Sequence, residues 1–284
     1  MVRARKNVKV GEEEKSMLFN TNFSIPTYLK DEDKLEALVN IASVLMILGL
    51  WFGLSFLVDQ LFLPSPKEIF VRSIDVYGDT ILTDILTSLT RTIIGFLLGG
   101  SVGVLLGVTI SWNKYLEWWF SPIVEVLRPV PVLALIPLFI VWFGIGELGK
   151  ILLISFGVFV RMVVTTREAI LNISSVYLDA AKTLGATKKG EIFRSVIFPA
   201  ITPELIGGLR VAAAAAFGYC AAAEFLGAQR GLGYLIIRAR RYLYTFGVMF
   251  GILAFGALSL LADRVIRYID RNINEWAERT ESSK

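Results

Sequence analysis

Apolar residues fall along this chain in long unbroken blocks, separated by short stretches rich in Lys, Arg, Gly and Pro. A helix needs about 20 residues to cross a hydrocarbon core of about 30 Å, and six blocks come near that length. They run over Leu35–Val58, Ile85–Ile110, Trp118–Phe143, Leu148–Val164, Pro203–Ala223 and Thr245–Arg267. The pattern therefore predicts an all-α integral membrane protein with six transmembrane helices. Residues 1–34 read as a solvated cytoplasmic tail, because Arg3, Arg5, Lys6 and Lys9 are followed by Glu12–Glu14 and by no apolar core of a signal peptide. Between the first two spans, Leu63-Pro64-Ser65-Pro66 marks a turn, and Ile69, Ile74 and Val76 suggest a short amphipathic piece ending near residue 80.

Basic residues near the span ends set the orientation. With the N-terminus inside, the inner segments are the tail, the turn at Lys114, the stretch Arg167–Arg194 and the C-terminal segment from Arg264, and these hold most of the Lys and Arg. Lys67, Arg72 and the group Arg230, Arg238, Arg240 and Arg241 fall outside, against the rule but too few to reverse it. Both termini are expected in the cytoplasm of a cell with this chain in its inner membrane.

Composition agrees. The 284 residues are 55% hydrophobic and 19% charged, against about 25% charged for a soluble domain, and the mean hydropathy is +0.62. The chain has no histidine, which removes the commonest general base and metal ligand. Cys220 is the single cysteine, so no intrachain disulfide or Cys-rich metal site is available. The net charge of +4 fits anchoring at an anionic membrane surface, and no nucleic-acid-binding motif accompanies it.

Several local patterns bear on function. Gly95, Gly99, Gly103 and Gly107 recur every fourth residue and form a stripe on which another helix can pack closely. The third span is broken by Arg128-Pro129-Val130-Pro131 and again at Pro137, and such breaks survive in a bilayer where protein or a water-filled cavity supplies partners. Arg128 and Pro131 are accordingly candidates for a pathway or gate, against a purely structural kink. Gly144-Ile145-Gly146-Glu147-Leu148-Gly149-Lys150 imitates a phosphate loop, but Ile151 replaces its Ser or Thr and its flanks are apolar spans, so it reads as an interhelical turn. Thr202-Pro203-Glu204 reads as the N-cap and first turn of the fifth span. Arg210 and Glu224 in that span lie about 20 Å apart along the helix and cannot pair with each other; Arg91 and Arg128 are candidate partners, and all four are pathway candidates by default.

The inner loop is the most specific segment. Ser175 can cap a short helix, Asp179 favours its positive end, Ala180 and Ala181 keep its surface shallow, Leu178 and Leu184 supply apolar anchors, and Gly185 stops it. A short capped helix of small residues suits insertion into a partner's groove.

This segment resembles the EAA loop of ABC importer permeases, reading Asp179-Ala180-Ala181, then Gly185, then Ile197-Phe198-Pro199. Asp stands for Glu, Phe for Leu, and the Gly185–Pro199 interval is one residue longer than the family pattern. Leu63-Pro64-Ser65-Pro66, Ser88-Leu89 with Arg91, Leu127-Arg128-Pro129 with Pro131, Trp142-Phe143-Gly144, Gly208-Leu209-Arg210, Ala223-Glu224 and Gly231-Leu232-Gly233-Tyr234-Leu235 are similar to one branch, which imports nitrate, sulfonates, taurine or bicarbonate. The resemblance implies a type I importer (MetI-like) fold, with a transmembrane core at 81–268, its coupling loop at 168–200 and a cytoplasmic tail at 269–284. It implies a non-catalytic permease subunit that pairs with a second copy, two cytoplasmic ABC ATPases and an external substrate-binding protein, with ATP and magnesium on the ATPase rather than on this chain. Import of a small solute by alternating access follows, with Leu178, Asp179, Ala180, Ala181, Leu184 and Gly185 as the ATPase-docking residues; the outer group Arg230, Arg238, Arg240 and Arg241 suggests that the solute is anionic, since focused positive potential concentrates anions. An ion-coupled secondary transporter is the alternative, disfavoured by the lack of an inverted repeat. An intramembrane enzyme finds no carboxylate pair on one helix to support it.

Overall fold

The computed structural model describes residues 27–186 and 188–273, which are helices and short connections with no strand among them. Helix α1 (Thr27–Leu57) stands as a unit by itself, the second unit beginning at Val58. From Leu35 to Leu57 the leucines and isoleucines of α1 are exposed, and Ser43 and Ser55 return their hydroxyls to Val39 and Phe52 carbonyls (2.8 and 2.7 Å), as an apolar surrounding demands. The helix starts at Thr27, earlier than the expected tail boundary at residue 34; the rest of that tail, residues 1–26 with their basic and acidic clusters, lies outside the described residues, as does 274–284 of the C-terminal tail.

Helix α2 (Pro66–Trp112) is 47 residues long, about 70 Å. The separate amphipathic piece expected to end near residue 80 is its first third. Ser65 and Glu68 form a capping box, each side chain accepting the other's backbone N–H (3.4 and 3.3 Å), with Pro66 in the first turn. Beyond Pro66 no proline interrupts, and a lone Gly78 costs a helix only about 1 kcal/mol.

The third span is broken as its prolines predict. Helix α3 (Lys114–Leu127) ends at Arg128, a 3-10 turn covers Val132–Leu135, and α4 (Ile136–Phe143) follows at 88° to α3. Pro137 opens α4 rather than kinking it. Gly144–Gly146 then turn the chain into α5 (Glu147–Leu171), with Gly144 at φ 78°, so of the phosphate-loop imitation the first three residues are the expected interhelical turn and Glu147–Lys150 are already helix.

Helix α6 (Ser175–Thr183) is capped by Ser174, not Ser175, through Val176 N–H. It closes in a Schellman motif: Gly185 (φ 93°) donates to Lys182 O, and Ala186 to Ala181 O, both at 3.0 Å. The short α7 (Lys189–Ile192) and a π-turn (Phe193–Ile197) lead into α8 (Phe198–Phe225). The fifth span thus begins at Phe198: Thr202 does not cap it but donates back to Phe198 O (2.7 Å), and Pro203 sits inside the helix. Helix α9 (Leu232–Arg241) was not expected, being too short for a span, and α10 (Thr245–Ile273) closes the chain.

Five helices are long and apolar enough to cross a membrane, and the bent α3–α4 pair counts as a sixth among the described residues. Their centre is α5 between α2 and α8. Ile154, Val158 and Met162 of α5 meet Ala212, Ala216 and Cys220 of α8 in one core, closed by Leu232 and Ile236 of α9 and Phe255 of α10. The glycine stripe lies against α5: a β-carbon on Gly95, Gly99, Gly103 or Gly107 meets Ile154, Ser155, Met162 or Thr166 within 2.1–2.8 Å. At Gly99 the obstacle is the Ser155 carbonyl itself, so only glycine permits that approach.

Candidate functional site

The bundle has two ends, one carrying α9 and the other α6, and the charged residues of the spans gather near them. At the α9 end, three helices converge on Arg91. Its guanidinium, on a side chain 4% exposed, takes Glu147 of α5 bidentately (2.5 Å each) and Glu224 of α8 (2.6 Å), and donates to the Arg230 carbonyl (2.8 Å). Glu224, with no exposed side-chain surface, also accepts Ser88 Oγ (2.8 Å) and Gly233 N–H (2.7 Å). Ser88 Oγ accepts Leu232 N–H and Asp84 accepts Gly231 N–H, each at 2.8 Å. The carboxylates at 84 and 224 thus receive the unpaired amides at the start of α9, where a helix offers free N–H groups. Gly231 (φ 118°) fits because a β-carbon there meets the Glu224 carboxylate at 2.4 Å. Lys150 completes the set on Glu147 (3.2 Å). Helices α2, α5, α8 and α9 are tied here through charge-assisted bonds, and around the buried Glu224 each is strong and each loss expensive.

The remaining expected pathway residues are elsewhere. Arg210 pairs with Asp263 of α10 (2.8 Å), which also holds Arg267 (2.8 Å). Arg128 meets Glu168 of α5 (3.0 Å), both about half exposed. Of the partners considered for Glu224, Arg91 is the one it finds; Arg128 is not. The 88° bend leaves a cleft of ≈590 Å³ between Arg128–Leu133 and the Gly157–Glu168 stretch of α5, with Tyr219 at its back. Pro131 and Arg128 line it. On the α6 side, Arg167 ties α3 to α5 through Glu117 (3.6 Å), Glu125 (3.2 Å) and Ser121 (2.8 Å).

The α6 helix has two faces. Leu178 and Ala181 turn inward, Leu178 packing on the main core and Ala181 only 7% exposed. Val176, Tyr177, Ala180, Thr183 and Leu184, spaced for one helical face, point away from the bundle, Leu184 being 88% exposed. Asp179 is exposed beside Lys182 (3.1 Å). The two leucines that sequence alone offered as joint anchors therefore serve opposite sides.

The four arginines near α9 do not act as one patch. Arg238 stacks on Tyr77 (4.6 Å) and Tyr234 (5.6 Å), Arg230 gives its carbonyl to Arg91, and Arg240 and Arg241 stay exposed. Sequence reasoning missed Asp84, Ser88, Glu147 and Asp263 as partners. It also missed Arg161, and it missed α9, whose Leu232, Leu235, Ile236 and Ala239 carry a helical period that a search for 20-residue spans passes over.

Residues 95–275 match the profile of the binding-protein-dependent transport system inner membrane component. The taurine transport system permease protein TauC of Escherichia coli (strain K12) is 29% identical over 85% of this chain and 90% of its own. A Bacillus subtilis (strain 168) protein named for aliphatic sulfonates transport, SsuC, is 31% identical over 81% and 84%. The formylaminopyrimidine transport permease protein ThiX of Halalkalibacterium halodurans is 29% identical over 83% and 94%. Among solved structures, the MetNI methionine ABC transporter in an inward-facing conformation matches with a TM-score of 0.55 at 21% identity, over 66% of this chain and 95% of that one. A second, an amino acid ABC transporter, reaches 0.61 at 16% identity, over 70% and 97%. The fold is that of the type I importer permeases.

Proposed function

We propose that this chain, which belongs to the family of binding-protein-dependent transport system inner membrane components, passes a small anionic solute of the sulfonate or taurine class across the membrane by alternating access. It is a permease subunit of an ABC importer, embedded in the membrane through its apolar helices. A second copy of the chain, two cytoplasmic ABC ATPases and an external substrate-binding protein complete the working complex, and ATP with magnesium binds to the ATPases.

The observation that carries this reading is the two-faced α6. Its inward residues, Leu178 and Ala181, join the core that contains α5 and α8, while Val176, Tyr177, Ala180 and Leu184 face outward with nothing of the second unit over them. A partner that moves α6 through the outward face thereby moves the spans through the inward one. Asp179 at the rim and Gly185 at the stop hold the helix in register for that contact. The α6 end is the cytoplasmic one: Lys114, Lys182, Lys188, Arg194, Arg264 and Arg271 cluster toward it, in keeping with the positive-inside rule. Both chain ends then lie inside. The names of TauC and SsuC support the sulfonate class; ThiX, equally similar and named for a formylaminopyrimidine, is the reason to test it directly.

The test is uptake by proteoliposomes holding the chain, its ATPase and its binding protein. ATP inside the ATPase-accessible compartment is expected to drive accumulation of taurine or methanesulfonate, insensitive to collapse of ion gradients. Uptake that needs an ion gradient and ignores ATP overturns the proposal.

A further inference from the structure

We propose that the cleft at the α3–α4 bend is a transit site for a small aliphatic oxyanion, and that Arg161 provides the charge that selects it. This rests on the permease reading above and names the chemistry of the pathway within it. Gly157, Val160, Arg161, Val164, Thr165 and Glu168 recur at intervals of three and four residues, so one stripe of α5 forms the wall opposite Arg128–Leu133. Arg128 has its counter-charge in Glu168 at 3.0 Å. Arg161 is exposed to the cleft and forms no ion pair among the described residues. The lining therefore holds one uncompensated positive charge.

The position makes that charge informative. Arg161 stands 14 residues after Glu147 and 10 before Leu171, about 21 Å and about 15 Å along the helix axis. A guanidinium on a membrane span is costly unless water or a ligand solvates it, and arginines retained there mark solute paths. Arg91, Arg128, Arg167 and Arg210 have carboxylates, while Arg194 and Arg264, which like Arg161 form no ion pair among the described residues, do not line this cleft. Around Arg161, the hydroxyls of Thr165 and Tyr219 add donors, and Val130, Val132, Leu133, Val160 and Val164 add apolar wall. A flat fork of N–H donors with flanking hydroxyls matches a sulfonate or carboxylate, and the valines and leucine suit a short aliphatic body. At ≈590 Å³ the cleft is roomy for such a solute, which fits passage rather than tight capture.

The experiment places a cysteine one helical turn from Arg161, by Val164→Cys, in the intact complex held in neutral phosphatidylcholine nanodiscs; the wild-type chain, whose Cys220 is fully buried, is the background control. Modification by an anionic sulfonatoethyl thiosulfonate is compared with that by a cationic trimethylammonioethyl thiosulfonate. The anionic-to-cationic rate ratio is expected to drop about 5-fold or more when Arg161→Gln is added, and millimolar methanesulfonate is expected to slow labelling only when Arg161 is present. In uptake, Arg161→Gln should lower methanesulfonate and taurine transport about 10-fold or more, and Arg161→Lys should keep a large part of it. Retained ATPase co-purification shows that the variants fold. An unchanged rate ratio with undiminished Arg161→Gln uptake overturns the site and leaves the permease reading standing. Slowing by phosphatidylglycerol and not by methanesulfonate assigns the charge to a lipid headgroup and overturns it too. A wild-type chain that binds no ATPase overturns both readings together.

Discussion

The two ends of α5 carry similar charged residues and use them in opposite ways. Near its start, Glu147 meets Arg91 in a network whose central members are 3% and 1% exposed, with backbone amides of α9 drawn in. Along its second half, Arg128 and Glu168 form a single pair with side chains 55% and 45% exposed, and Arg161 forms no ion pair among the described residues. Buried and multiply bonded charges fix helices in place, because a broken pair leaves a desolvated ion behind. Exposed charges exchange partners cheaply, as a passing solute requires. The α9 end thus reads as the fixed part of the bundle, and the bend cleft as the part that can respond.

The largest expected effect follows from breaking the fixed end. Glu224→Ala takes one of two carboxylates from the buried Arg91 and leaves the Ser88 hydroxyl and the Gly233 amide without their acceptor, and should cost about 3–5 kcal/mol of stability, seen as a large drop in thermal unfolding temperature of the detergent-solubilised chain. A loss no greater than that of an exposed pair would erase the contrast between the ends. Gly99→Ala comes next, since its β-carbon lands 2.1 Å from the Ser155 carbonyl and the helices must separate, at about 1–3 kcal/mol. Gly78→Ala on the same helix meets nothing nearer than 3.9 Å and is the control, expected to be neutral or slightly stabilising. On α6, Ala181→Glu buries a carboxylate and should destabilise by about 1–3 kcal/mol. Arg128→Ala should shift stability by only about 0–1 kcal/mol, its pair being half exposed. Leu184→Glu should change it by less than about 0.5 kcal/mol, yet reduce ATPase co-purification sharply, which separates docking from folding on a single helix.

Much of this was readable in the residues, for physical reasons that differ by element. The spans were legible because twenty apolar residues have few other uses, and the break at Arg128–Pro131 because two prolines remove two amide donors. The Gly95–Gly107 stripe announced a close helix contact, though not that α5 makes it. Ion-pair partners were the least legible: Arg91 and Glu224 are separated by 133 positions, and nothing local to Arg210 points to Asp263. Glu147 hid inside a stretch that imitates a phosphate loop. The starts of α6 and α8 shifted because neighbouring hydroxyls compete to cap: Ser174 took the role offered to Ser175, and Thr202 bonded back to Phe198 once the helix had already begun. The two faces of α6 could not be assigned from composition, since Leu178 and Leu184 are chemically alike and differ only in which side of the helix the core occupies.

On the reading proposed above, the outward face of α6 couples this permease to an ATPase. Site-specific cross-linking tests it most directly, with Leu184→Cys and Ala181→Cys compared in the assembled complex. Efficient cross-links to the ATPase are expected from Leu184→Cys and essentially none from Ala181→Cys. Equal cross-linking from both positions, or none from Leu184→Cys in a complex that still hydrolyses ATP, would contradict it.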